Sequence, residues 1–259
     1  MGGSNGILRE FFTRFQEANL SARPTKCRLA LTKVEYFGHE VGRGELHPEK
    51  SNLTKIKNAK LPTTKKEMQS FLGLVGYYRK FIQNFAEIAL PLTDRVRKSA
   101  PNKIGWDKSA EDAFQRLKSE LCQAPILKLP DWTKEFVVRT DASDRGLGAV
   151  LLQEEDKHLK PILYISRKLN DTETRYATVE KECLAVVWAL GKLYVYLYGR
   201  PFVLETDHRP LKYLDTMKAS NGRLTRWALQ LQSFSFRVRI IPGKDNVGAD
   251  FLSRCDGLD

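Results

Sequence analysis

From Phe136 onward the chain alternates short β-type runs with helical stretches, and that order constrains the fold more than any other feature. Phe136 to Asp141 reads as a strand, Gly146 to Gln153 as a second and Pro161 to Ser166 as a third, with turn-forming residues between them. Thr178 to Tyr198 then carries Leu184, Val187, Trp188, Leu190 and Tyr194 at helical spacing. Phe202 to Asp207 is a fourth strand, Leu224 to Phe234 a helix, Phe236 to Ile241 a fifth strand, and Ala249 to Ser253 opens a last helix. This order predicts a mixed five-stranded α/β sheet flanked by helices.

The first half reads as mainly helical. Ile7, Leu8, Phe11, Phe12 and Phe15 mark a helix, and the runs Arg28–Leu31 and Val34–Val41 predict a β-hairpin. Thr64 with Glu67 fits a capping box ahead of Met68, Phe71, Leu72, Val75 and Tyr78. Ser109 is expected to cap a further helix with Phe114, Leu117 and Leu121 inward. Helices rarely run through Pro-punctuated segments, so Ala124 to Pro130 reads as the boundary between the halves.

Charge narrows the partner. The 259 residues hold 43 Lys plus Arg against 31 Asp plus Glu, a net +12. Between Lys55 and Lys103 eleven basic residues face three acidic ones. Such a basic helical stretch suits a polyanion, and nucleic acid comes first. No apolar run approaches the roughly 18 residues of a membrane span, so no membrane partner is expected. The absence of an apolar leader points to an intracellular protein, cytoplasmic or nuclear and not secreted. Cys27, Cys122, Cys183 and Cys255 are far apart and form no zinc pattern, which fits reduced thiols.

Four acidic residues sit in apolar surroundings. Asp141 and Asp207 each end a strand, Glu182 lies in the first turns of the most apolar helix, and Asp250 stands between Ala249 and Phe251. A carboxylate in such a setting is costly unless a cation offsets it. Singly, each has a structural explanation: Asp207 as a cap, Asp250 favouring a helix N-terminus, Glu182 paired with an arginine.

Taken together, the surrounding blocks resemble a family. Thr140-Asp141-Ala142-Ser143-Asp144-Arg145-Gly146-Leu147-Gly148-Ala149-Val150-Leu151-Leu152-Gln153, Glu180-Lys181-Glu182-Cys183-Leu184-Ala185, Thr206-Asp207-His208-Arg209-Pro210-Leu211 and Pro242-Gly243-Lys244-Asp245-Asn246-Val247-Gly248-Ala249-Asp250 resemble the ribonuclease H domain of gypsy-type long-terminal-repeat retrotransposon reverse transcriptases. So do Ser166-Arg167-Lys168-Leu169-Asn170 and Arg223-Leu224-Thr225-Arg226-Trp227. The resemblance implies a ribonuclease H fold and a catalytic, metal-holding tetrad of Asp141, Glu182, Asp207 and Asp250, with Glu180 solvated. It also implies two Mg²⁺ ions, replaceable by Mn²⁺, about 4 Å apart, and cleavage of the RNA strand of RNA–DNA hybrids. Hard cations of this kind take oxygen ligands. None of the four histidines lies between Pro242 and Asp250, where many cellular ribonucleases H carry one.

In the first half, Lys26-Cys27-Arg28 and Tyr36-Phe37-Gly38-His39 resemble the end of the palm, with its primer-grip hairpin. Phe71-Leu72-Gly73-Leu74-Val75-Gly76-Tyr77-Tyr78-Arg79-Lys80-Phe81-Ile82 resembles the thumb helix, and Trp106 with Phe114-Leu117-Lys118 the connecting segment. The resemblance runs over residues 20 to 254 and divides the chain into a palm remnant (1–45), a thumb/connection-like basic region (46–127) and a ribonuclease H-like domain (128–255). Candidate nucleic-acid contacts are Phe37, Gly38, His39, Lys65, Lys66, Gly73, Arg79, Lys80, Ser143, Arg167 and Asn246. Gly73 and Gly76 suit either close approach to a duplex or helix–helix packing. No Tyr-x-Asp-Asp motif and no Asp-Asp pair occurs, so this chain alone is expected not to polymerise DNA. Two alternatives stay open: a non-catalytic nucleic-acid-binding remnant, domesticated or truncated, and a piece that acts only within a full polymerase polyprotein. Nothing in the sequence speaks to oligomeric state.

Overall fold

The computed structural model describes residues 2–23, 25, 27, 29, 31–124, 126–207 and 222–242. The chain divides into two compact units, residues 1–34 and 35–259. The first is built on helix α1 (Gly2–Glu17), where the Phe11 ring lies 4.6 Å from that of Phe15. Asn19, at φ 54°, ends that helix in the left-handed conformation common at helix C-termini.

A small sheet of order β1-β2-β3-β4 comprises β1 (Val34–Tyr36), β2 (His39–Gly42), β3 (Glu45–Pro48) and β4 (Leu127–Lys128). The sequence reading paired residues 28–31 with 34–41; the hairpin instead turns within the second run, at Phe37-Gly38 between β1 and β2. Arg28 and Ala30 lie outside the described residues. Phe37 (φ 44°) and Gly38 (φ 68°) are both left-handed, the conformation of a two-residue turn that matches strand twist. Such a φ is unusual for phenylalanine. The phenol of Tyr77 donates to the Phe37 carbonyl and that of Tyr78 to the Gly38 carbonyl at 2.7 Å. A Cβ on Gly38 would stand 3.3 Å from both tyrosines, so glycine also permits the close approach.

Helices α2 (Lys50–Lys57), α3 (Lys65–Tyr77), α4 (Phe85–Ile88), α5 (Leu90–Asp94) and α6 (Lys108–Cys122) pack around Ile56, Met68, Phe71, Val75, Leu92, Phe114, Leu117 and Leu121. The Thr64–Glu67 capping box forms as the spacing predicts: Glu67 N–H donates to Thr64 Oγ1, and Glu67 Oε2 accepts from Thr64 N–H, both at 3.3 Å. Helix α6 corrects the expected cap. Asp107 rather than Ser109 is its N-cap, with Oδ1 accepting from Ala110 N–H at 2.8 Å and Oδ2 standing 2.5 Å from the Arg95 guanidinium.

The larger sheet has the order β7-β6-β5-β8-β9, from β5 (Phe136–Ala142), β6 (Gly146–Glu155), β7 (His158–Lys168), β8 (Phe202–Thr206) and β9 (Phe236–Ile240). The β7-β6-β5 part is antiparallel and the β5-β8-β9 part parallel, so the sheet is mixed and five-stranded, as expected. Helix α7 (Thr178–Lys192) lays Cys183, Val186 and Leu190 against Phe136, Val138, Leu151 and Leu204. The expected long helix is interrupted at Leu193 and resumes as α8 (Tyr194–Leu197); α9 (Gly222–Leu231) follows β8. Val137, Val150, Leu152 and Val203 form a second core on the other face. At one end of the sheet, Asp156 and Lys157 make a left-handed two-residue turn between β6 and β7.

Candidate active site

Period-two alternation along β5 buries Phe136, Val138 and Thr140 and brings Asp141 to the strand's last residues. Asp207 follows β8, the parallel neighbour of β5. Glu182 shares the helix stripe of Val186 and Ala189, so α7 carries it inward with its apolar residues. Three elements thus bring Asp141 and Asp207 near enough for their charges to act on Glu182; Asp250 lies outside the described residues.

Glu182 is 6% exposed. It accepts a hydrogen bond from the Ala142 backbone N–H, while Oε2 is buried without a hydrogen-bond partner among the described residues. Burial, with the negative charges of Asp141 and Asp207 added, pushes its pKa up to about 8. A buried oxygen lacking a partner, between two more acids, is a donor set that suits a hard divalent cation. Glu180, expected to be solvated, instead accepts from the Ala177 N–H at 3.1 Å and pairs with Arg223 at 2.8 Å. Among the described residues, no three His, Cys, Asp or Glu side chains gather closely enough to enclose a metal by themselves.

The candidate nucleic-acid contacts divide. Phe37 is 72% exposed at its hairpin tip. Gly38 is covered by the two tyrosines, and His39 is buried, its Nδ1–H donating to the Phe37 carbonyl at 2.8 Å; burial holds its pKa below the usual value. Lys65 is committed to the carbonyls of Arg97, Lys98 and Ala100, whereas Lys66 is exposed. A Cβ on Gly73 would meet nothing, so that glycine serves no helix packing, and one on Gly76 would only touch Phe85. Arg79 donates to the Ser166 carbonyl, and Lys80 lies 5.6 Å from the Phe81 ring with its pKa lowered by burial. Ser143 accepts from Gly146 N–H at 3.0 Å, and Arg167 grips Glu173 with both guanidinium nitrogens at 2.6 and 3.0 Å. Asn246 lies outside the described residues.

Two contributors went unnoticed in the sequence. Asn84 and Glu87, from the helical half, line a small cleft with Asp141, Ser143, Gly148 and Ser166. Neither sits in a motif, and only the long-range packing of α4 on β7 brings them there.

A family model described as the RNase H-like domain found in reverse transcriptase matches residues 131–234. Over that segment the chain is similar to the RNase H-like domain of reverse transcriptases. Its homologues are Pol polyproteins of gypsy and other LTR transposons. The chain is 42% identical over 244 residues, 94% of its length, to the retrovirus-related Pol polyprotein from transposon 297 of Drosophila melanogaster. It is 40% identical over 249 residues, 92% of its length, to that from transposon gypsy of the same organism. It spans only 22% and 24% of those two relatives. The fold is similar to the foamy viral protease-reverse transcriptase in complex with RNA/DNA hybrid, with TM-score 0.74 and 25% identity over 92% of this chain and 33% of that one. A second foamy viral protease-reverse transcriptase structure, the dRH form with double-stranded DNA, gives TM-score 0.77 at 25% identity, over 91% of this chain and 42% of that one. Among the described residues no helix is long and apolar enough to cross a membrane.

Proposed function

We propose that the RNase H-like domain hydrolyses the RNA strand of RNA–DNA hybrids, endonucleolytically and with divalent metal. The observation that carries this reading is Glu182, a buried carboxylate with an unpartnered oxygen and two acidic neighbours. A fold that only needed stability would have placed a cation or an apolar residue there. Asp141, Glu182 and Asp207 would hold the metal ions, Mg²⁺ with Mn²⁺ as substitute, together with Asp250. When bound, such ions supply an activated water and offset charge on the leaving oxygen. The protein's own part is to keep the site dry on the α7 side, through Cys183 and Val186, and, without metal, to favour the protonated form of Glu182 near neutral pH. Duplex binding draws support from the foamy viral complexes and from the basic helical half; of the two neighbouring lysines, Lys66 would be the one to meet phosphates, since it is exposed and Lys65 is bonded to three backbone carbonyls.

The test is cleavage of a labelled RNA–DNA hybrid with Mg²⁺, beside Asp141→Asn and Asp207→Asn. Each variant should lose about 10²-fold or more, the scale of removing a charge-stabilising group. Wild-type protein that binds the hybrid and leaves the RNA strand intact would favour a non-catalytic binding module instead.

A further inference from the structure

The helical half meets the carboxylate site through Asn84 and Glu87, and of the two Asn84 lies nearer its centre. In the antiparallel ladder Asp141 faces Gly148, and Gly148 faces Ser166. Directly paired residues share a sheet face, so these three form one row across β5, β6 and β7. The Ser166 hydroxyl accepts from the Ala86 N–H of α4 at 3.0 Å, which identifies the covered face as the one toward the helical half. Ser143, two residues beyond Asp141, donates to Glu87 at 3.3 Å.

Asn84 lies over the middle of that row. A Cβ added to Gly148 would come within 2.2 Å of Asn84 Oδ1, so the carboxamide occupies the space that a side chain at residue 148 would fill. Asn84 is 7% exposed, and its side chain makes no cap hydrogen bond to the helix it starts. Its backbone is left-handed, φ 49° and ψ 31°, a conformation that asparagine tolerates better than most residues. Two small clefts flank the side chain, and both are lined by Asn84, Asp141 and Gly148 together. A nearly buried carboxamide that lines both clefts beside Asp141 puts its hydrogen-bonding groups where water or a ligand in those clefts would meet them.

We propose that Asn84 is a positioning residue of the cleavage centre, the point at which the helical half completes a site otherwise built by the sheet. Resting on the nuclease reading above, it deepens that reading. Seated on Gly148, the carboxamide fixes the β5–β6 pair at Asp141 and offers neutral hydrogen-bonding groups to the water and sugar–phosphate strand that reach the cleft. It adds no charge to a site already crowded with carboxylates. Glu87, through Ser143, anchors the same wall at the β5–β6 turn.

The experiment uses the full chain and a defined RNA–DNA hybrid with Mg²⁺. Asn84→Gly removes the carboxamide while keeping the left-handed backbone comfortable. Asn84→Asp keeps the shape and loses the N–H donors. Both should lower kcat at least tenfold, with KM and melting temperature near wild type, because small misplacement at a reacting centre costs rate before affinity. Full kcat in both variants, with or without a drop in melting temperature, would reduce Asn84 to a packing plug and overturn the proposal. An inactive wild type would sink the nuclease reading and this proposal with it. An active wild type with fully active variants would sink the Asn84 role alone.

Discussion

Two glutamates are buried in the sheet half, and their surroundings are opposite. Glu205, 3% exposed on β8, is held by Arg139 at 2.6 and 2.8 Å and by Arg239 at 2.6 Å. Those arginines stand on β5 and β9, so one carboxylate ties the three parallel strands together. Glu182, 6% exposed, has the negative charges of Asp141 and Asp207 acting on it, and among the described residues no arginine pairs with it. The same residue type is a fastener in one place and, in the other, a carboxyl group with no cationic partner among the described residues. The fold supplies cations to the buried Glu205, which makes their absence around Glu182 among the described residues informative.

The comparison breaks first at Glu205. Glu205→Ala removes the buried carboxylate that Arg139 and Arg239 share, and should cost about 3 kcal/mol, read as a lower melting temperature and denaturant midpoint. A variant melting with the wild type would dissolve the contrast. Glu182 should behave in the opposite sense. Its raised pKa means that the metal-free folded chain binds this proton more tightly than the unfolded one does. The stabilising contribution is therefore full below the ordinary carboxyl range and is lost as pH rises through about 8. In chelator, Glu182→Gln should flatten the fall in melting temperature between pH 5 and 9 and gain about 2 kcal/mol at the upper end. An unchanged slope would mean that Glu182 ionises freely in the fold. The smallest effect belongs to the helical half, where Thr64→Ala should cost about 1 kcal/mol through the lost cap and leave hybrid cleavage intact. Altered cleavage in that variant would show that the two halves are coupled beyond the Asn84 wall.

What could be read in the sequence was local. Thr64 and Glu67 announce their capping box because the geometry needs only three residues of chain. The alternation through β5 and β6 announces a hairpin for the same reason, and Asp141, Glu182 and Asp207 stand out as acids in apolar runs. Asp107 and Ser109 are both good caps; the choice went to Asp107, whose second oxygen also meets Arg95 from α5's end, a contact no local pattern contains. The fate of each lysine was equally hidden. Lys65 and Lys66 are neighbours in sequence, yet one turns into three carbonyls and the other into solvent. Asn84 is the extreme case, since its partner Gly148 is 64 residues away and carries no side chain to signal the contact.

The Asp156-Lys157 turn closes β6 and β7 at the end of the sheet remote from Asp141. Glu155 is seven residues along β6 from Gly148, roughly 24 Å of strand. A reporter dye or short peptide tag set into that turn would ride on a rigid beam well away from the cleft. Paired with a second dye on a nucleic-acid end, it would serve as a molecular ruler for whether, and in which register, a duplex is held.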